Sequence, residues 1–238
     1  MAIAKQEFHP RDHGEIEKLN ENLWRVQGPV PGSALFSRVM TVVRLADERL
    51  VIHNGIAMNP ESMAELETWG RPTFLIVPGG YHRLDAMAYV SRYPRLTVIA
   101  PAGAAKRVAR LVEVNGDYAS FADQPEVALV HLEGTANREG AMIVRSEDGA
   151  TVVFNDIVFN MPHQKGMGGF VLRFVTASSG GPKVPRVARM FFVKDATALS
   201  SHLQRLADTP NLKRVIVSHH EMITGDVRGI LREVAGTL

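Results

Sequence analysis

The chain of 238 residues contains no cysteine. That absence removes disulfides, thiolate metal sites and a cysteine nucleophile together, so any metal site must be built from His and Asp/Glu. No apolar run approaches the length needed to cross a bilayer. The stretch MAIAKQEFHPRDHGEIEK lacks the charged-then-apolar pattern of a signal peptide. No block of Lys and Arg stands out: 27 basic and 25 acidic residues are interspersed, for a formal charge of +2. A nucleic-acid footprint needs clustered basic residues. There is no internal repeat, low-complexity tract or linker, and no Gly-x-Ser-x-Gly elbow for a serine nucleophile. GGPKVPRVAR (180–189) lacks phosphate-loop spacing, and GMGGF (166–170) does not bridge a clear strand and a helix as a dinucleotide fingerprint would. The expectation is a cytoplasmic protein of one domain over 1–238, with no nucleic-acid or membrane partner. A small-molecule ligand or substrate fits these bounds, and a homo-oligomer is left open.

What is present reads as an α/β pattern. NLWRVQG (22–28), MTVVRLA (40–46) and RLVIHNG (49–55) are rich in β-formers and separated by breakers. A helix is predicted over 60–69, with Asn59 as cap, Pro60 in the first position and Gly70 as terminator. The continuous apolar runs TFLIVP (73–78) and LTVIAP (96–101) predict strands buried on both faces. They alternate with helices predicted at 84–92 and 103–113, and βαβα order implies a partly parallel sheet. VALVHLE, AMIVRSE and TVVFND form a second strand block, with the DG at 148–149 marking a hairpin. Residues 161–186 read as a long Gly/Pro-rich loop with a short apolar insert. A helix at 195–207, a strand at 214–219 and a helix at 226–235 close the chain. Residues 1–19 are expected to form a less ordered extension.

Three places put polar side chains at the end of a strongly apolar strand: His82 with Asp85, Asp156 in VVFND, and His219 with His220 in VIVSHH. Strand ends in α/β sheets are common binding positions, because the sheet is rigid and the loop leaves side chains exposed. A lone His or Asp there is more often a cap or a solvated group. The recurrence at three ends is what points to a shared site. His9, His13, His163 and His202 read as surface or loop residues, and His53 and His131 as structural ones.

Taken in order, NLWRVQGP, RVMTVVRLADERLVIHNGIAMNPE, FLIVPGGYHRLDAMAYVSRYPRLTVIAPAG, GATVVFNDIVFNMP and RVIVSHHEMITGD resemble segments of the metallo-β-lactamase superfamily over about residues 20–235. The resemblance implies a four-layer αββα sandwich with its site at one edge of the two sheets. The superfamily's metal motif is His-x-His-x-Asp-His after a strand. With Leu84-Asp85 in register, Tyr81, Arg83, Asp85 and Ala86 stand at its positions, and only the Asp is kept. The next histidine ligand falls in NREGA, at Asn137. The later bridging Asp matches Asp156, and the final His matches His219, or His220 with a register slip of one.

The resemblance therefore implies that the usual dinuclear site is largely lost. Arg cannot ligate a cation and brings positive charge to the site. Two readings follow. One divalent ion (zinc, manganese or iron) sits on Asp85, Asp156 and His219 in a hydrolase, where Asp85, His82 and Tyr81 act in catalysis or orient substrate, and His82 substitutes for a missing ligand if the loop is reshaped. Alternatively no metal is held: Arg83 neutralises Asp85 or Asp156, and the cleft binds a small ligand through Arg83, Asn137 and His220 or keeps a structural or interaction role.

Overall fold

The computed structural model describes residues 8–33 and 35–238. The first half of the chain builds a seven-stranded sheet in sequential order. Its strands are β1 (Glu17–Asn20), β2 (Leu23–Pro29), β3 (Ser37–Arg44), β4 (Arg49–His53), β5 (Arg71–Ile76), β6 (Thr97–Ala100) and β7 (Gly116–Asp117). The β1–β4 pairs are antiparallel and the β4–β7 pairs parallel. That change of sense follows from α1 (Pro60–Trp69), α2 (Ala86–Arg92) and α3 (Ala102–Val108), which connect the parallel strands. The Asn59 side chain accepts the Ser62 N–H at 2.8 Å and Pro60 opens α1, as the sequence predicts.

The second half builds a four-stranded sheet, β13-β10-β9-β8, from β8 (Val127–His131), β9 (Gly140–Ser146), β10 (Gly149–Phe154) and β13 (Leu212–Val217). α6 (Ala196–Ala207) and α7 (Val227–Gly236) cover its outer face. The period of two decides the layers. In β4, Leu50 and Ile52 face the α1–α2 side, while Val51 faces the other sheet. In β10, Val152 and Phe154 face α6 and α7, while Val153 meets Val51 and Ile76 in the cluster between the sheets. Three apolar clusters thus separate four layers, α-β-β-α.

Three segments differ from the sequence reading. Residues 161–186 are not one loop. They contain the end of β11 (Phe159–Met161), α4 (Gly166–Phe170), a π-helical turn (Val171–Val175), β12 (Gly181–Lys183) and the start of α5 (Arg186–Phe192). The glycines there allow close packing inside a helix: a Cβ on Gly169 would come within 1.8 Å of the Gln164 carbonyl oxygen, and one on Gly168 within 2.6 Å of Leu35. α3 stops at Val108 rather than near 113, and its last residues pass into turns. Residues 8–19 do not form a loose extension. Arg11 donates its N–H to the Ala57 carbonyl at 2.7 Å, Gly14 does so to Gln27 at 2.7 Å, and Glu17–Asn20 pairs with β2. Residues 1–7 of the expected extension lie outside the described residues. Among the described residues, no helix is long and apolar enough to cross a membrane.

Candidate metal centre

The parallel pair β10–β13 aligns Phe154 with Val217. Asp156 and His219 each lie two residues beyond that pair, so the sheet itself sets their separation. His82 arrives from the other sheet, in the loop between β5 and α2. His82, Asp156 and His219 are the one group of His, Asp or Glu among the described residues whose ligand atoms converge, all within 4.8 Å of one another. His82 Nε2 lies 2.9 Å and His219 Nε2 3.2 Å from Asp156 Oδ1. Asp156 and His219 are buried.

The other ring nitrogens fix the tautomers. His219 Nδ1 is 2.8 Å from the Ser37 carbonyl oxygen, which can only accept, so Nδ1 carries the proton. His82 Nδ1 is 3.2 Å from Asn54 Oδ1. The Asn54 amide is oriented by its own donation to the Val39 carbonyl at 2.8 Å, so Oδ1 is the acceptor and His82 Nδ1 the donor. With Nδ1 of each ring committed to an acceptor, Nε2 of each ring faces the Asp156 carboxylate: it donates to it as an imidazolium and turns a lone pair toward it as a neutral ring. Either way the space beside Asp156 calls for positive charge, from a proton on Nε2 or from a cation bound by the three side chains. Burial opposes ionisation of Asp156, but His82 and His219 beside it outweigh burial and hold its carboxyl well below the usual range.

A buried layer supports this centre. Glu139 Oε2 accepts the Asp156 N–H at 3.1 Å, and its two carboxyl oxygens accept from Asn155 Nδ2 at 3.1 and 3.3 Å. Burial, then the charge of Asp156, push the Glu139 carboxyl well above its ordinary value. Gly79 is needed for this contact, since a Cβ there would meet Asn155 Nδ2 at 2.7 Å and Glu139 Oε1 at 3.0 Å. His53, fully buried at the end of β4, is pushed down to about 3 by burial and by His82, and is neutral.

The remaining sequence candidates are elsewhere. Asp85 does not join Asp156 and His219. Its Oδ1 accepts from Arg11 Nε at 3.0 Å, and its Oδ2 accepts from Arg38 and from the Ala57 N–H at 3.2 Å. Two guanidiniums therefore occupy the carboxylate that the motif register favoured, and His82 takes its place in the cluster. Nor does Arg83 neutralise either aspartate: its Nη1 donates to the Arg107 carbonyl at 2.7 Å on the surface. Tyr81 is 57% exposed and lies under the Arg107 guanidinium at 3.8 Å. Asn137 is an exposed turn residue at φ 56° whose carbonyl accepts the Gly103 N–H at 2.8 Å. His220 sits beside the cluster, with its N–H donated to Ser37 Oγ at 3.1 Å and its ring tilted against Phe36. Sequence reasoning missed Asn54 and Glu139. Asn54 lies at a strand end, the same signal that marked Asp156, whereas nothing local to NREGA marks Glu139 as buried.

An apolar cavity of about 200 Å³ opens onto Asp156, walled by Phe36, Phe159, Val187, Ala188 and Phe192, with Thr176 and Ser178 adding hydroxyls. A neighbouring cavity of about 300 Å³ shares Phe191 and Phe192 and carries Arg107 and Arg138.

No family model matches this chain, and neither does any curated protein. Solved structures do. A metallo-β-lactamase from Pontibacter korlensis superposes with a TM-score of 0.63 at 14% identity, covering 94% of this chain and 99% of the other. A metallo-β-lactamase from Hirschia baltica gives 0.61 at 14% identity, over 95% and 97%. The metallo-β-lactamase FIM-1 from Pseudomonas aeruginosa, in its mono-zinc form, gives 0.60 at 10% identity, over 98% of each chain. The chain has the metallo-β-lactamase fold.

Proposed function

We propose that this chain, built on the metallo-β-lactamase fold, is a hydrolase holding one divalent cation on His82, Asp156 and His219, next to an apolar substrate cavity. The observation that carries the reading is the pair of locked tautomers. Ser37 and Asn54 take the Nδ1 protons, so Nε2 of each ring is the atom presented to the space beside Asp156. Metal-binding histidines characteristically donate their other N–H to a carbonyl or carboxylate in this way. Two imidazoles and one carboxylate suit zinc, manganese or iron, and three protein ligands leave an open position. The mono-zinc neighbour of the same fold adds support for a single ion.

When bound, such an ion supplies Lewis acidity and an activated nucleophile at neutral pH. The chain's own residues do the rest. Asp156 contributes the carboxylate, and Glu139 fixes the Asp156 backbone by accepting its N–H. Phe159 packs a tilted ring on His219 at 4.7 Å and limits rotation of the imidazole. The Phe-walled cavity receives an apolar part of the substrate and excludes water from the reacting face. Arg107 and Arg138 in the adjoining cavity suit an anionic end of the same small molecule.

The experiment is metal analysis of protein purified without added metal, followed by zinc and manganese titration. Near-stoichiometric binding is expected, and Asp156→Ala and His219→Ala should each abolish it. Wild-type protein that fails to take up near-stoichiometric metal would overturn the reading.

A further inference from the structure

From Ile157 to Lys194 the chain has no Asp or Glu, yet it carries Lys165, Arg173, Lys183, Arg186, Arg189 and Lys194. Among the described residues, none of these six pairs with an Asp or Glu side chain; Lys183, Arg186 and Arg189 instead donate to the Ser179, Val175 and Leu238 carbonyls at 2.8, 2.9 and 2.7 Å. Among the described residues, most of the exposed large apolar side chains fall in the same segment. On α4 and the π-helical turn, Met167 (80% exposed), Phe170 (55%), Val171 and Phe174 (54%) recur at the i, i+3, i+4, i+7 spacing of a single helix face. Gly169 and Leu172 are the residues this element buries. On α5, exposed Met190 and Phe191 extend the apolar surface to the cavity above Asp156. An apolar stripe that faces water rather than a core needs an occupant.

We propose that this face docks onto an anionic lipid bilayer, lying in the headgroup region with the Asp156 cavity mouth turned toward the membrane. Apolar side chains on one helical face, flanked by Lys and Arg with no acidic residue, are the composition of an interfacial helix. The positive charges complement anionic headgroups. A second copy of the chain fits poorly, since a two-fold pairing of this face would set exposed Lys165 and Arg173 of each copy against those of the other, with no acidic residue between. An in-plane contact crosses nothing and so needs no membrane-spanning helix. It departs from the sequence expectation of no membrane partner. The signal was hidden because the whole-chain charge is only +2 while 157–194 alone carries +6.

The test is co-sedimentation of the full chain with vesicles of phosphatidylcholine alone and of equal parts phosphatidylcholine and phosphatidylserine. Binding to the mixed vesicles is expected, weak or absent on phosphatidylcholine alone, and reduced by salt. Phe170→Ser with Phe174→Ser should weaken it by roughly tenfold or more. Lys165→Gln and Arg173→Gln should each weaken it by roughly fivefold. All four positions are exposed, so an unchanged thermal melt identifies folded variants. No binding to the mixed vesicles, or binding that the phenylalanine pair does not weaken, overturns the proposal. So does a concentration-dependent dimer, seen by light scattering, that the same pair abolishes. None of these readouts depends on metal content.

Discussion

Asp85 and Asp156 begin alike and end differently. Both are buried carboxylates in segments that leave the C-terminal ends of apolar strands, β5 and β10. Asp85 is met by the fixed positive charges of Arg11 and Arg38, which saturate both oxygens. Asp156 is met by His82 and His219, whose Nδ1 atoms are held by Ser37 and Asn54 so that Nε2 of each faces it. The first arrangement is complete in itself and holds the N-terminal segment, β3 and α2 together. The second leaves room for a cation to complete it. Whether a buried carboxylate is structural or available to a ligand is decided by partners far away in the sequence.

That contrast can be broken from either side. The largest effect is expected at the arginine-bound carboxylate. Asp85→Ala strands a buried Arg38, so unfolding free energy should fall by about 3–5 kcal/mol, with metal stoichiometry retained in the folded fraction. Denaturant unfolding and metal analysis on the same preparation check both halves of that statement. A loss of metal without loss of stability would reverse the roles assigned to the two aspartates.

Asn54→Ala attacks the orientation of His82 without touching a ligand. Metal affinity should drop by about 10- to 100-fold, read by competition with a chelator, while Asp85 and its arginines are undisturbed. An unchanged affinity would mean that the Nδ1 contact does not set the tautomer.

The smallest effect tests the buried layer beneath the site. His53 holds its folded value near 3, against an ordinary value of 6.5. Below pH 6.5 the unfolded chain takes up a proton that the folded chain refuses, so stability is lost progressively as pH falls from about 6.5 toward 3. Between pH 7 and 5 this one group should cost about 2 kcal/mol. Urea unfolding at the two values gives the difference, and His53→Gln should remove most of it.

The sequence made the architecture readable where one signal suffices. Asn59-Pro60 and Gly70 bound α1, the Leu199, Leu203 and Leu206 spacing marks α6, and the Asp148-Gly149 pair marks the β9–β10 hairpin. Asp156 and His219 were also legible, since a strand end fixes their position almost without help from the rest of the chain. The choice between His82 and Asp85 was not. It depends on which way the Gly79-Gly80 loop turns, and on Arg38 and Arg11, which lie 47 and 74 residues from Asp85. The segment 161–186 was misread for a related reason: Gly168 and Gly169 look like breakers until Gln164 and Leu35 are seen packed against them.

The two tryptophans of the chain, Trp24 on β2 and Trp69 at the end of α1, stack at 3.7 Å with an interplanar angle of 4°. Both belong to the first half of the sandwich, with their backs to the second sheet. Intrinsic fluorescence is thus a reporter of one half only, while far-UV circular dichroism sees both. Coincident melting curves from the two probes would show that the halves unfold as a unit, and separated curves would show that they do not. A fluorescence response to metal would have to travel from His82 through the first sheet to reach the indoles.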